Sequence, residues 1–161
     1  MDDDNADFLL RLDNQFCFAL YALSRKITAE YRPLLDAIGL TYPQYLVMLV
    51  LWEVQGNATS DEFPGVPVKF VGERLLLDTG TLTPLLKRLE ANGLIQRKRS
   101  ETDEREVRIR LTAAGLQLKE QARQIPLQML CNSGLPVDRV AALQQELRSL
   151  LSAVCERDNE T

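Results

Sequence analysis

A mainly α-helical chain carrying one small β-hairpin is what the apolar spacing of this sequence predicts, and residues 78–112 carry most of the argument. Leu82, Leu85, Leu86 and Leu89 recur at helical intervals. Residues 94–99 and 107–111 alternate as strands do, and the acidic stretch 100–104 between them suits a hairpin tip. A short helix, a turn, a second helix and then a charged hairpin is the order of a winged helix-turn-helix, a DNA-binding unit. The predicted fold is that unit over residues 68–112, inside a single domain spanning 1–161. Dimerisation helices in 1–54 and 113–161 flank it.

Each element has a local reason. Residues 7–31 place Phe8, Leu12, Phe16, Leu20, Leu23 and Ile27 at spacings of three and four, which predicts one amphipathic helix. Arg32-Pro33 is expected to end or kink it, with a short helix over 33–38 stopping at Gly39. Thr41 can cap the next helix and Pro43 suits its first turn; the apolar run through Trp52 continues it. Residues 55–67 read as an irregular loop with two glycines and two prolines. Residues 68–77 read as a short helix and 78–80 as a turn, with Thr79 or Thr81 capping the helix that ends at Asn92-Gly93. A long helix is expected from Thr112 or Ala113 to about Cys131, kinked at Pro126. The last helix places Val140, Leu143, Leu147, Leu150 and Val154 at coiled-coil-like intervals.

Composition excludes several classes. The 161 residues, 45% of them apolar, suffice for one core. No apolar run is long enough to span a bilayer, and the acidic MDDDNAD start is unlike a signal peptide, so a cytoplasmic protein with no membrane partner is expected. Three scattered cysteines make no disulfide scaffold. The absence of histidine removes His-based acid–base catalysis and most zinc sites, and no cofactor or metal is expected. Net charge is −4, yet residues 87–110 hold eight cationic side chains against five acidic ones. A locally basic patch inside an acidic chain can face phosphate while the remaining surface weakens non-specific contact.

The DNA-binding assignment follows from residue type and place. Thr79, Thr81 and Thr83 at the start of the recognition helix are short enough for close approach to a major groove, and their hydroxyls can bond bases or phosphates. Lys87 and Arg88 lie one to two turns on, where the phosphate backbone runs. Arg97, Lys98 and Arg99 on the hairpin can contact phosphate. Arg105 at the tip suits a narrow minor groove, with Asp103 as a carboxylate brace. The expected partner is double-stranded operator DNA.

The stretch LLLDTGTLTPLLKRLEANGLIQRKRSETDEREVRIRLTAAG resembles the winged helix of the MarR family of bacterial regulators. LDNQFCFALYALSRKITAEYRPLLDAIGLTYPQYLVMLVLWE is similar to the OhrR branch, repressors that sense organic hydroperoxides through a cysteine. The resemblance covers nearly the whole chain and implies a homodimer with a winged helix in each subunit. It implies that Cys17 is the redox-sensing thiol, with Tyr31 and Tyr42 as its hydrogen-bond partners, and that Asp103, Glu104 and Arg105 form the wing's DER element. The loop 55–67 departs from the pattern by being longer than the family usually has. Its Asn57-Ala58-Thr59 sequon carries no meaning in a bacterial cytosol.

Only a thiolate attacks a peroxide well. Cys17 is expected in mid-helix, away from any helix N-terminus, so phenol donors are the remaining way to stabilise its charge. Tyr31 lies fourteen positions downstream, roughly 21 Å along a continuous helix. It can therefore reach Cys17 only from a second subunit or through a sharp fold-back. Phe16, Phe18 and Leu20 around the thiol suit an alkyl or lipid hydroperoxide. A sulfenic acid formed there can be trapped by a second thiol. Some members of the branch carry such a resolving cysteine late in the post-wing helix, and Cys131 lies in that region. Cys155 is assigned no role. The expectation is a repressor, not an enzyme, released from DNA when organic hydroperoxide oxidises Cys17. A thiol peroxidase would need no basic wing. A MarR-type regulator answering to a small aromatic ligand or another thiol-reactive species stays open.

Overall fold

Helix α3, Tyr42–Gln55, is buried round most of its circumference, with Gln44, Tyr45, Val47, Met48, Val50, Leu51, Trp52 and Gln55 all shielded from water. A helix apolar on nearly every side belongs in the middle of a structure. The structure, a computed structural model, describes residues 3–56, 58–59, 63–100, 103 and 105–158. It is mainly α-helical with a small antiparallel sheet, as the sequence predicts. The chain forms two compact units, Met1–Ile125 and Pro126–Thr161.

The N-terminal segment differs from its expected single helix. Helix α1 covers Asp3–Leu10, a single 3-10 turn covers Leu12–Asn14, and α2 covers Phe16–Asp36. The interruption has a side-chain cause. The Asn14 amide donates to the Phe8 carbonyl at 2.7 Å, and the Gln15 amide donates to that of Leu9. These amides satisfy C-terminal carbonyls of α1 that no helical N–H reaches, so ending the helix there costs little. Cys17 is consequently the second residue of α2 and not a mid-helix residue.

At its other end α2 runs through Pro33 to Asp36, so Arg32-Pro33, expected to end or kink the helix, does not end it. The proline removes one N–H, leaving the carbonyl of exposed Ala29 to solvent. Leu35, 1% exposed, anchors the last turn in the core. Helix α3 begins as the sequence predicts. Thr41 and Gln44 form a reciprocal capping box, with the Thr41 backbone N–H donating to Gln44 Oε1 at 2.8 Å, and Pro43 sits in the first turn.

Strands β1 (Val66–Pro67), β2 (Ile95–Arg99) and β3 (Val107–Leu111) form one sheet in the order β1-β3-β2. Ile95 pairs with Leu111 and Arg99 with Val107 in the hairpin; Val66 pairs with Ile109 on the other edge of β3. Strand β1 was expected to be irregular loop. It ends the 55–67 connection, and Gly65 makes it possible. At φ +84°, with the Ile109 carbonyl oxygen 2.8 Å from where a Cβ would stand, only glycine fits. The Arg108 guanidinium donates to the Gly65 carbonyl at 2.7 Å and holds the connection on the wing.

Helix α4 is Val68–Leu75 and α5 is Thr79–Ala91. Leu82, Leu86 and Leu89 of α5 are at most 1% exposed, and α5 packs against β2, whose Ile95 is equally buried. The expected long post-wing helix is two helices, α6 (Ala113–Ala122) and α7 (Gln124–Ser133). The break falls at Arg123, upstream of Pro126, because Pro126 has no N–H for the Ala122 carbonyl and disfavours helix in the preceding turn. Thr112 caps α6, its hydroxyl oxygen accepting the Gly115 N–H at 3.0 Å. In the second unit, α8 spans Val137–Asp158 with Leu147, Leu150 and Val154 exposed. Among the described residues no helix is long and apolar enough to cross a membrane.

Candidate nucleic-acid interface and thiol site

The helix-turn-helix is built around Leu76 and Asp78. Leu76 takes a left-handed conformation, φ 53°, at the end of α4, and the Leu77 N–H closes the turn on the Gly72 carbonyl at 2.9 Å. Asp78, not a threonine, caps α5. Its carboxylate accepts the Thr81 backbone N–H at 2.9 Å and the Thr81 hydroxyl at 2.7 Å. The side-chain bond from Thr81, then the backbone one, holds the Asp78 carboxyl below its usual range. Sequence reasoning placed the cap one to three residues late because threonine also caps helices, although aspartate is the stronger cap.

Thr79 and Thr83 share one face of the start of α5 and Thr81 stands on another, with Thr79 and Thr81 exposed. The Thr83 hydroxyl donates to the Thr79 carbonyl at 2.7 Å. The Thr81 and Thr83 hydroxyl protons are thus taken by acceptors of the chain itself, which leaves each oxygen as an acceptor. Lys87 and Arg88 are exposed on the same helix. An open groove of about 1100 Å³ lined by α4, α5 and the wing brings together Thr79, Thr83, Arg97, Asp103 and Arg105.

On the wing the cations divide. Lys98 and Arg99 are exposed on β2. Arg97 is held by Glu90 of α5: its Nε and Nη2 donate to Oε2 at 2.8 and 2.5 Å, and its backbone N–H donates to Oε1 at 3.1 Å. Those bonds lower the Glu90 carboxyl's pKa. Arg97 therefore fixes the wing to the recognition helix. Asp103 does brace Arg105, but through the backbone: its carboxylate accepts the Arg105 N–H at 2.9 Å. The Arg105 side chain is exposed at the tip. Glu104, the middle of the DER element, lies outside the described residues, as does Asn57 of the sequon.

The thiol residues fall in three places. Cys17 is exposed in the first turn of α2. Tyr31 is on the same helix and Tyr42 opens α3; their rings meet with centroids 4.9 Å apart. A third phenol, Tyr45, is 6.0 Å from Tyr31 and 6.3 Å from the Trp52 ring. Sequence reasoning passed it over because a tyrosine within an apolar run reads as core. Among the described residues none of the three hydroxyls donates to an acceptor of the same chain. Burial raises the pKa of Tyr31 and Tyr42, with Tyr42 adding to the effect on Tyr31. Burial, then its two phenol neighbours, pushes Tyr45 up to about 12. All three are neutral donors near pH 7. Because α2 is continuous from Phe16 to Asp36, Tyr31 stands roughly 21 Å from Cys17 along the axis. The fold thus joins the two phenols and keeps the thiol of the same chain away from Tyr31. In the second unit, Cys131 is exposed on α7 and Cys155 is half-buried on α8; none of the three cysteines forms a disulfide among the described residues.

A family model described as transcriptional regulator SarA/Rot matches residues 29–122. The organic hydroperoxide resistance transcriptional regulator of Bacillus subtilis is 47% identical over 92% of this chain and 95% of its own length. The chain belongs to the MarR family of winged-helix transcriptional regulators. Among solved MarR-type structures, reduced AbfR of Staphylococcus epidermidis bound to DNA superposes with a TM-score of 0.71 at 35% identity, over 93% of this chain and 99% of that one. The disulfide-formed state of AbfR superposes with a TM-score of 0.61 at 33% identity, over 96% and 99%.

Proposed function

We propose that this MarR-family regulator is a homodimeric repressor that binds operator DNA and releases it when an organic hydroperoxide oxidises Cys17. The observation that carries the reading is the separation within one chain of an exposed thiol from a contacting pair of neutral, unbonded phenols. A two-fold dimer supplies what one chain lacks, because each subunit's Tyr31 and Tyr42 can then face the other's Cys17. In that dimer the partner's phenol O–H groups can donate to the Cys17 sulfur. Phe16 and Phe18, both exposed beside the thiol, offer an apolar approach for an alkyl hydroperoxide.

The chemistry balances as two steps. The Cys17 thiolate attacks the distal peroxide oxygen, the O–O bond breaks, and an alcohol leaves after taking a proton; sulfur is oxidised by two electrons to a sulfenic acid. The Cys131 thiol of the partner subunit then displaces that hydroxyl as water, forming a disulfide. The disulfide-formed state of AbfR supports this second step by analogy.

In the DNA complex the recognition helices occupy successive major grooves from Thr79, Thr81 and Thr83. Lys87, Arg88 and Arg99 contact phosphate, Arg97 holds the wing in place, and Arg105 enters the flanking minor groove with Asp103 shaping the tip. The AbfR–DNA complex, at 35% identity, supports the same use of the fold. The deciding experiment measures DNA release with and without cumene hydroperoxide, for wild type and Cys17→Ser. Wild type should be released and the variant retained. Release of both would instead point to a regulator answering to a ligand or to another group.

A further inference from the structure

Helix α3 has a phenol end and a DNA-unit end. At the first, Tyr42 and Tyr45 meet Tyr31 of α2. At the second, two buried side chains grip the end of the wing and the helix that follows it. The Gln55 amide is 3% exposed; its Oε1 accepts the backbone N–H of Leu111, the last residue of β3, at 2.8 Å, and its Nε2 donates to the Ala58 carbonyl at 3.1 Å. The Trp52 indole N–H donates to the Gly115 carbonyl in the first turn of α6 at 2.8 Å, and Lys119 Nζ donates to the Trp52 carbonyl at 3.3 Å. Tyr45 stands edge-on to Trp52, so ring contacts run from the phenol pair to this grip.

A rod packed on nearly all sides transmits displacement because close-packed interiors do not deform gradually. The hold on Leu111 is specific, because a buried N–H that loses its acceptor is costly and the strand must follow the side chain that satisfies it. We propose that Gln55 is the positioning residue that couples the redox site to the wing. Its amide locks the end of β3 to α3, so that a shift of α3 at the phenol end is carried to the wing. This rests on the reading that Tyr42 bonds the Cys17 thiolate and loses that partner on oxidation.

The test uses the full-length dimer and a duplex selected from random sequence by the reduced wild-type protein. Two quantities are measured for wild type, Gln55→Met and Trp52→Phe: the ratio of duplex affinities before and after cumene hydroperoxide, and the rate at which the Cys17 thiol is lost by mass spectrometry. The wild-type ratio should fall in the ~5–150-fold range of coupled sites, and in Gln55→Met it should drop to about a third of that or less. Thiol loss should keep its wild-type rate. Trp52→Phe keeps the ring against Tyr45 but loses the N–H to Gly115; it should also lower the ratio and serves if Gln55→Met does not fold. A merely structural role would weaken both affinities in parallel. An unchanged ratio in whichever variant folds overturns the coupling and leaves the redox reading standing. Wild type that is not released by hydroperoxide overturns both.

Discussion

Cys17 owes its place at the head of α2 to Asn14 and Gln15, whose amides close off α1 one turn earlier. The apolar spacing runs unbroken through this point, so periodicity alone put the thiol in mid-helix. Tyr31 and Tyr42, singled out in sequence as donors to the thiolate, stand in ring contact as neutral phenols. If each donates to the thiolate, Tyr42→Phe removes one charge-assisted hydrogen bond, and second-order oxidation of Cys17 should slow about tenfold or more. Stopped-flow oxidation with cumene hydroperoxide checks it, and an unchanged rate removes Tyr42 from the site. Tyr45 offers a separate test by pH. It is 2% exposed and its pKa is raised to about 12, above the value of about 10 that it takes when unfolded. The folded chain therefore holds the proton more tightly. Its contribution is complete below pH 10 and is lost as pH rises from 10 toward 12. Tyr45→Phe should flatten the fall of stability with pH in that window, as followed by urea unfolding at stepped pH.

At the scale of elements, the link between Glu90 of α5 and Arg97 of β2 decides where the wing stands. Both side chains are about one-third exposed, so the pair contributes modestly to stability but fixes geometry. Glu90→Gln should lower duplex affinity about three- to tenfold with a melting temperature changed by only a few degrees. Fluorescence anisotropy and calorimetry separate the two effects; a fully retained affinity means the wing needs no such brace. Because Arg97 lowers the Glu90 carboxyl's pKa, the brace is in place at neutral pH and is lost only as pH falls below the ordinary range near 4.5. This pairing was not legible in sequence, where Arg97 reads as one more basic wing residue. The wing hairpin and α5 were legible because each repeats its period several times. Strand β1 was not, since Val66–Pro67 is too short to show alternation and becomes a strand only by pairing with β3. Pro33 was read as an end or a kink and Pro126 as a kink; Leu35 packing holds α2 together past the first, whereas α6 ends at Arg123 ahead of the second.

For the whole molecule, the exposed apolar side chains matter most. Phe8, Leu12, Phe16, Leu23 and Ile27 in the N-terminal segment, and Leu147, Leu150 and Val154 on α8, are each more than 40% exposed or close to it. Two stripes of that size on an acidic chain call for a partner, and a second copy satisfies both the stripes and the Cys17–Tyr31 separation. Sedimentation at micromolar concentration should give twice the 18.2 kDa chain mass. On that dimer the two thiols answer different questions. Wild type treated with cumene hydroperoxide and run without reductant should give a dimer-sized band that reductant abolishes. Cys131→Ser should still lose its Cys17 thiol, because oxidation precedes trapping, but should give no such band. Cys155→Ser should behave as wild type. If treated wild type leaves DNA with no dimer-sized band, the intersubunit disulfide is excluded. The oxidised sulfur is then capped by a small thiol, and a mass increase on the Cys17 peptide would identify it.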